Sequence, residues 1–433
     1  MRYVKTNANA LFNNNLKGGS MKQFCLRAAA LALISVVGLP AVAAQPGWER
    51  VEVPAYFVDK NGVERFPGCS VAPSLVNTEL GPVPQPSDSE FAFFVRRGNP
   101  KQLAVFFDGG GACWDSSTCV GAPLAGASVY STTVNETAEA LDAGRGIGEA
   151  GQPYSPINKY TQVFIPYCTG DLHTGSSDTS YVAQTPFGPL PWTIRHRGAD
   201  NVAAVMAWLD EYYAARPQKE PKRLFVFGAS AGGYGATYHY PALAERFAGA
   251  RLKRLLIDAA NGVINQDFYD RALAEGGAWN VQANLHPVLA AAFAGDPDQL
   301  TLNTILSLGT AYPKTRIGQY TTAFDVTQIA FFNIAENLAN PALWSDPNAI
   351  AVAAQTWAPK AAQDMVIAAS LLPNYRHYLA NGSSHTIVGS DLFYTEYSAG
   401  GICFTDWVTD MLARKPARRG SWVNASCFPN CAP

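Results

Sequence analysis

Leu224-Phe225-Val226-Phe227-Gly228-Ala229-Ser230-Ala231-Gly232-Gly233 is the stretch that decides how this chain is read. An apolar run of strand character drives straight into a G-x-S-x-G pentapeptide, and a helix-like segment, 234–247, follows at once. A Ser carried on so sharp a strand-to-helix turn leaves no room for side chains two positions before and after it, so both positions need Gly. The backbone strain stored in such a turn aims the hydroxyl into open space at the carboxyl end of a sheet. The pentapeptide alone arises by chance often enough to be weak; its strand and helix context makes it informative. Ser230 is the candidate nucleophile.

Outward from that stretch, apolar strands alternate with helical segments. Strands are expected at 103–107, 162–166, 223–227 and 252–257, with helical periodicity over 198–214. Upstream, a β-like segment at 50–58 is followed by the hairpin signal Asn61-Gly62, and 90–96 is a further strand. Downstream, 317–323 and 376–379 read as strands, 327–338 and 350–371 as helices, and 402–412 as a last helix. This alternation predicts an α/β fold with a mostly parallel sheet and helices on both faces. The Ala/Leu-rich segment from 266 to about 310, interrupted by Pro287 and Pro297, reads as a helical cap inserted over the strand ends. Residues 45–433 are expected to form one domain with that cap.

Residues 21–44 have the layout of a secretory signal: Lys22 and Arg27, an apolar core at 28–38, then Ala41-Val42-Ala43-Ala44. The apolar core is too short to span a bilayer, so no stable membrane anchor is expected. The polar, Asn-rich residues 1–20 read as an upstream extension, with Met21 the better start. Cleavage after Ala44 removes Lys and Arg but no acidic residue, leaving a chain more acidic than the formal −2 of the whole sequence. That balance argues against nucleic acid as a partner. Charged residues are only 15% of a chain rich in Gly, Pro and aromatics, which suits a well-buried secreted enzyme acting as a monomer. With Cys25 gone, seven Cys remain in a compartment where disulfides persist. Cys113 and Cys119 are spaced to pair; Cys427 and Cys431 are similarly close, and Cys69, Cys168 and Cys403 complete the set. The odd count leaves at least one thiol free or paired between chains.

A Ser hydroxyl needs a His base, and the His needs a carboxylate to fix its tautomer. When a Ser is presented on such a turn, the chain order is Ser, acid, His. After Ser230 the histidines are His239, His286, His377 and His385. His239 falls on the helix after the turn, His286 in the cap, and His377 inside a strand. His385 follows a strand, in a turn beginning Asn381-Gly382-Ser383-Ser384, where catalytic loops gather, so it is the candidate base with His377 the runner-up. Asp258 ends a strand and Asp325 follows another; the acid usually follows the penultimate strand, which favours Asp325 and leaves Asp258 the alternative. The oxyanion requires backbone N–H groups. Ala231 supplies one, and Gly110 and Gly111 in Asp108-Gly109-Gly110-Gly111-Ala112-Cys113-Trp114 stand after the expected strand for the other. Trp114, and Asp171 and His173 from the loop 166–175, are candidate pocket residues; Asp171 and His173 serve equally well as loop-bonding groups. Neither metal-ligand spacing nor a nucleotide-binding fingerprint appears, and no cofactor is expected.

With these residues in view, the chain resembles the pectin acetylesterase/Notum family of secreted α/β hydrolases, from about residue 91 to 387. Gly109 to Cys113 is similar to the family's glycine-rich oxyanion loop. Tyr167, Cys168, Asp171 and Gly175 match its Y-C-x-x-D-x-x-x-G segment, and Gly228 to Gly233 its G-x-S-A-G-G turn. Asp325-Val326-Thr327-Gln328 matches its D-x-x-Q pattern, and His385 its late His. The resemblance implies a Ser230–Asp325–His385 triad on an α/β-hydrolase fold. Ala112 intervenes between the glycines and Cys113, with Trp114 after it, where plant members place Trp and Cys directly. Family members remove acetyl from pectin or a longer acyl group from protein. The expectation is therefore a serine carboxylesterase acting on an O-acyl, foremost O-acetyl, ester of a polysaccharide or small molecule. The alternatives are a lipase or polyester depolymerase with the same triad, and a non-catalytic binding module.

Overall fold

The computed structural model describes residues 47–433 except 79–80, 135–143, 187 and 416–419. The expected signal at 21–44 and the extension before it lie outside the described residues. Nine strands build one sheet: β1 (Trp48–Glu52), β2 (Ala92–Arg96), β3 (Asn99–Phe107), β4 (Tyr160–Ile165), β5 (Arg223–Ala229), β6 (Leu252–Asp258), β7 (Arg316–Thr322), β8 (Tyr375–Ala380) and β9 (Ala425–Ser426). Their spatial order is β1-β2-β4-β3-β5-β6-β7-β8-β9. Strand β2 is antiparallel to β1 and β4, and every other pair is parallel. The longer helices are α1 (Gly198–Ala214), α2 (Ala231–Arg246), α3 (Leu300–Ala311), α4 (Val326–Glu336), α5 (Pro347–Leu371) and α6 (Phe404–Leu412).

The central strands are apolar at nearly every position because both faces of a parallel sheet are covered. Leu103, Val105, Phe107, Leu224 and Val226 face one core, shared with Val205 and Leu209 of α1 and Leu243 of α2. Their alternates Ala104, Phe106, Phe225 and Phe227 face a second core, shared with Phe404, Trp407 and Met411 of α6. Phe106 and Phe227, opposite one another in the β3–β5 register, stack with ring centroids 4.7 Å apart. Each such ring buried stabilises the fold by about 1.5–3 kcal/mol. This is the mostly parallel, doubly covered sheet of an α/β hydrolase, as expected.

Two hairpins escaped the sequence reading: Pro73–Thr78 with Gly81–Pro86, and Ser177–Thr185 with Gly188–His196. Pro82, Pro84, Pro86, Pro189 and Pro191 argue against strands because Pro donates no ladder bond. Alternation resolves this. Ser87 N–H donates inward to Ala72 at 2.8 Å, which puts the nitrogens of 82, 84 and 86 on the outward edge.

Between β6 and β7 the cap segment is a chain of short turns leading into α3, less helical than expected. Pro287 and Pro297 each open a turn at its first position, where the missing N–H costs nothing. Disulfides join Cys69–Cys168, Cys113–Cys119 and Cys427–Cys431. Cys403 is also disulfide-bonded, and no described cysteine is free. No described helix is long and apolar enough to cross a membrane.

Candidate active site

Strand β5 delivers Ser230 at φ +55° and ψ −125°, a conformation that costs a non-glycine residue about 1–3 kcal/mol. The surroundings hold it there. Ser230 N–H donates to the Asp258 carbonyl at 2.8 Å, and its own carbonyl accepts from Gly233 N–H at 2.8 Å. A Cβ on Gly228 would collide with the Gly232 carbonyl, and one on Gly232 with the Phe107 carbonyl of neighbouring β3. The hydroxyl makes no capping bond to α2.

Asp325 closes the turn after β7 as the N-cap of α4. Its Oδ1 accepts from Thr327 N–H at 3.1 Å and Gln328 N–H at 2.9 Å, and Oδ2 from Gln328 Nε2 at 3.0 Å. Gln328 is itself anchored, donating to the Thr321 hydroxyl at 3.1 Å and accepting from Asn261 N–H at 2.8 Å. The loop after β8 crosses above: Phe324 N–H donates to the Gly382 carbonyl at 3.1 Å and Val326 N–H to Ser383 at 3.1 Å. That crossing sets His385 Nδ1 2.9 Å from both carboxylate oxygens of the fully buried Asp325. His385 Nε2 is enclosed and makes no hydrogen bond among the described residues. It shares a cavity with Ser230; Ser–base hydrogen bonds are often long in unliganded enzymes.

Asp258, the alternative acid, faces elsewhere. Its Oδ2 accepts from the amides of Ile387 at 2.7 Å and Val388 at 2.8 Å, while Oδ1 has no partner among the described residues. Burial pushes its carboxyl up to about 7, against the pull of those amides and of His385. Its carbonyl holds Ser230 and its side chain holds the residues after His385, so one residue braces both loops. His377, the runner-up base, is buried in β8 away from the cavity, with burial lowering its pKa to about 4.

The glycine loop after β3 is bridged to a neighbouring segment: Ser131 N–H donates to Gly110 at 2.7 Å and Ala112 N–H to Val129 at 3.3 Å. Gly111, between these bonds, lies on the cavity wall with Ala112, Trp114 and Ala231; Gly110 does not. Asp171 and His173 are not on that wall; the residue between them, Leu172, is. Asp171 is pushed up to about 6 by burial and accepts from the Thr169 hydroxyl and the amides of His173, Gly175 and Gly198. His173, lowered to about 3 by burial and so neutral, donates from Nε2 to the Asp108 carbonyl at 2.9 Å. The pair buttresses the glycine loop from below, the loop-bonding alternative of the sequence reading.

The cavity beside Ser230 and His385 has a volume of about 120 Å³. Its walls are largely apolar and include Trp114, Phe268, Phe331, Phe332, Trp357 and Leu300. Sequence reasoning found Trp114 alone among these; the rest carry ordinary helical periodicity, the same signal as core. One trio, Cys113, Cys119 and His196, brings ligand-type atoms within 4.8 Å among the described residues. The two sulfurs are bonded to each other, and the imidazole nitrogens are engaged by Tyr181 and Thr169. A disulfide offers no thiolate to a metal.

Residues 88–263, which include the glycine loop and the Ser230 turn, match the pectinacetylesterase family. Asp325 and His385 lie beyond that match. Two solved structures of the Wnt deacylase Notum from Drosophila, in different crystal forms, are similar. One is 17% identical with a TM-score of 0.48, over 74% of this chain and 87% of that one. The other is 16% identical with a TM-score of 0.48, over 83% and 92%. No curated protein sequence matches the chain. A region similar to the pectinacetylesterase family thus carries both the glycine loop and the Ser230 turn, and the chain is a carboxylic ester hydrolase acting on O-acyl groups.

Proposed function

We propose that Ser230, His385 and Asp325 form a catalytic triad that hydrolyses the ester through an acyl-enzyme. The supporting observation is that Ser230, on its strained turn, shares an apolar cavity with a His whose Nδ1 faces a buried carboxylate at 2.9 Å. In this reading Nδ1–H donates to Asp325, leaving the Nε2 lone pair to accept the Ser230 proton as Oγ attacks the acyl carbon. The oxyanion is stabilised by the N–H groups of Ala231 and Gly111, with Gly110 shaping the loop. His385 returns the proton to the departing alcohol, then activates the water that releases the acid.

Two substrates remain in contention. The family match favours an O-acetyl ester of a polysaccharide such as pectin. The cavity favours a longer aliphatic acyl group, as in a lipase or polyester depolymerase, because apolar walls of this size leave acetyl unpacked. The pectinacetylesterase match over the glycine loop and the Ser230 turn speaks against the non-catalytic module. Three disulfides among the described residues suit an oxidising compartment and, with the signal read at 21–44, support a secreted enzyme of one capped domain. Hydrolysis of p-nitrophenyl esters of increasing chain length, measured beside acetylated pectin and xylan, separates the substrates. Ser230→Ala should fold and show background hydrolysis; wild-type turnover in that variant refutes the triad.

A further inference from the structure

Behind the Ser230 cavity lies a second one of about 70 Å³, walled by Thr237, Tyr238, Leu289, Phe293, Thr304 and Ile305 among others. Its walls draw on α2, β6 and the cap segment and include no residue of the triad. Five residues line both cavities: Leu172, Tyr234, Leu273, Leu300 and Thr301. These five stand where the two spaces adjoin.

This partition is braced rather than merely packed. Tyr234 stands one turn into α2, just after the nucleophile, and its hydroxyl accepts from Gly262 N–H at 2.8 Å. The Thr301 hydroxyl donates to the Gly262 carbonyl at 3.2 Å. Gly262 sits at φ +53°, and a Cβ there would collide with the Thr301 hydroxyl oxygen, so only Gly lets the two side chains close on one backbone unit. Leu172, at φ +56°, is fixed by its N–H donating to the Tyr167 hydroxyl at 2.8 Å.

We propose that Tyr234, held by Gly262 and Thr301, sets the longest acyl chain that this enzyme accepts, by closing the Ser230 cavity against the apolar space behind it. The inference rests on Ser230 as the nucleophile. A methylene takes about the room of a water molecule, roughly 30 Å³, so the front cavity holds about four and the rear about two more. Each methylene that finds room raises kcat/KM about fourfold. One that finds none must displace packed side chains. The expected profile climbs from acetate to a maximum near five or six carbons and then falls.

The test measures kcat/KM for p-nitrophenyl esters from acetate to decanoate with the wild type, Tyr234→Phe, Tyr234→Ala and the double variant Tyr234→Ala/Thr304→Leu. Tyr234→Ala should move the maximum two or more carbons longer and raise the decanoate-to-butyrate ratio at least tenfold. Thr304 lines the rear space but not the front, so Thr304→Leu should reverse that gain. Tyr234→Phe keeps the ring but loses the bond from Gly262 N–H, so it should shift the maximum less than Tyr234→Ala does. An unmoved ratio in a folded Tyr234→Ala, or a wild type that takes decanoate as readily as butyrate, overturns the proposal. Should Tyr234→Ala fail to fold, Leu300→Ala opens the same wall from α3 and is read in the same way. Turnover that survives Ser230→Ala refutes the nucleophile instead, whereas a failed partition leaves Ser230-dependent turnover with an unshifted profile.

Discussion

Replacing Asp325 with Asn removes one charge and almost no volume, so its effect is set by the hydrogen bonds around the side chain. His385 Nδ1 lies 2.9 Å from both carboxylate oxygens, two amides bond Oδ1, and Gln328 Nε2 bonds Oδ2. Every neighbour is a donor, and Asn has one acceptor oxygen. With that oxygen in the Oδ1 place the α4 cap survives, and the new NH₂ faces Gln328 and His385. Gln328 cannot turn over without losing its bonds to Thr321 and to Asn261 N–H. His385 yields instead, moving its proton from Nδ1 to Nε2. That tautomer has no lone pair for the Ser230 proton, a defect worth roughly 10³–10⁴ in kcat, or about 4–5 kcal/mol of barrier. The stability cost, two donors brought face to face, is about 1–3 kcal/mol. Asp258→Asn is the control. Its oxygen can keep the Ile387 and Val388 amides while the NH₂ takes the partnerless Oδ1 place, so kcat should fall less than tenfold. The assay is kcat and KM on p-nitrophenyl butyrate, with circular dichroism to verify folding. A loss under tenfold in Asp325→Asn refutes the tautomer argument, and a larger loss in Asp258→Asn reassigns the acid.

Asp258 also carries a pH signature. Burial lifts its carboxyl from 3.8 to about 7, so on raising the pH the unfolded chain ionises first and the native state resists. Its contribution is complete below pH 4, declines between about 4 and 7, and is flat above. Asp258→Asn cannot titrate, so wild type should lose up to about 4 kcal/mol relative to it over that interval. Urea midpoints across pH 4–8 that show no relative loss count against the shift. Gly232→Ala drives a methyl into the Phe107 carbonyl and should cost about 3 kcal/mol with loss of activity; a melting temperature equal to wild type contradicts the close β3–α2 approach. His173→Phe keeps the ring beside Phe107 and Tyr167 but removes the donor to Asp108. It should cost about 1–3 kcal/mol and lower kcat more than it changes KM. An unchanged kcat would mean that the buttress does not hold the glycine loop.

Much of the molecule is local in origin and therefore legible from residues alone. The change from strand to helix periodicity at Gly228–Gly233 places Ser230 on its turn, and the glycines after β3 announce a loop built for close approach. Unbroken apolar runs in β3, β4 and β5 state that the sheet is covered on both faces, because a half-exposed strand would alternate. Pro spacing hid two hairpins, since sequence does not tell which edge a strand turns to solvent. What only the tertiary structure decided involves partners far apart in the chain. Asp258 ends β6 and Asp325 follows the adjacent parallel β7, and the two look alike locally; the crossing of the β8 loop over α4 turns His385 to Asp325 and leaves the backbone after it to Asp258. Asp171 and His173 read equally well as pocket or support until packing put Leu172 between them on the wall. Cys69 and Cys168, 99 residues apart, meet only because the folded loops bring them together. The cavity and its Tyr234 partition are the furthest from local reading, because their residues have the same periodicity as core and only the void they leave distinguishes them.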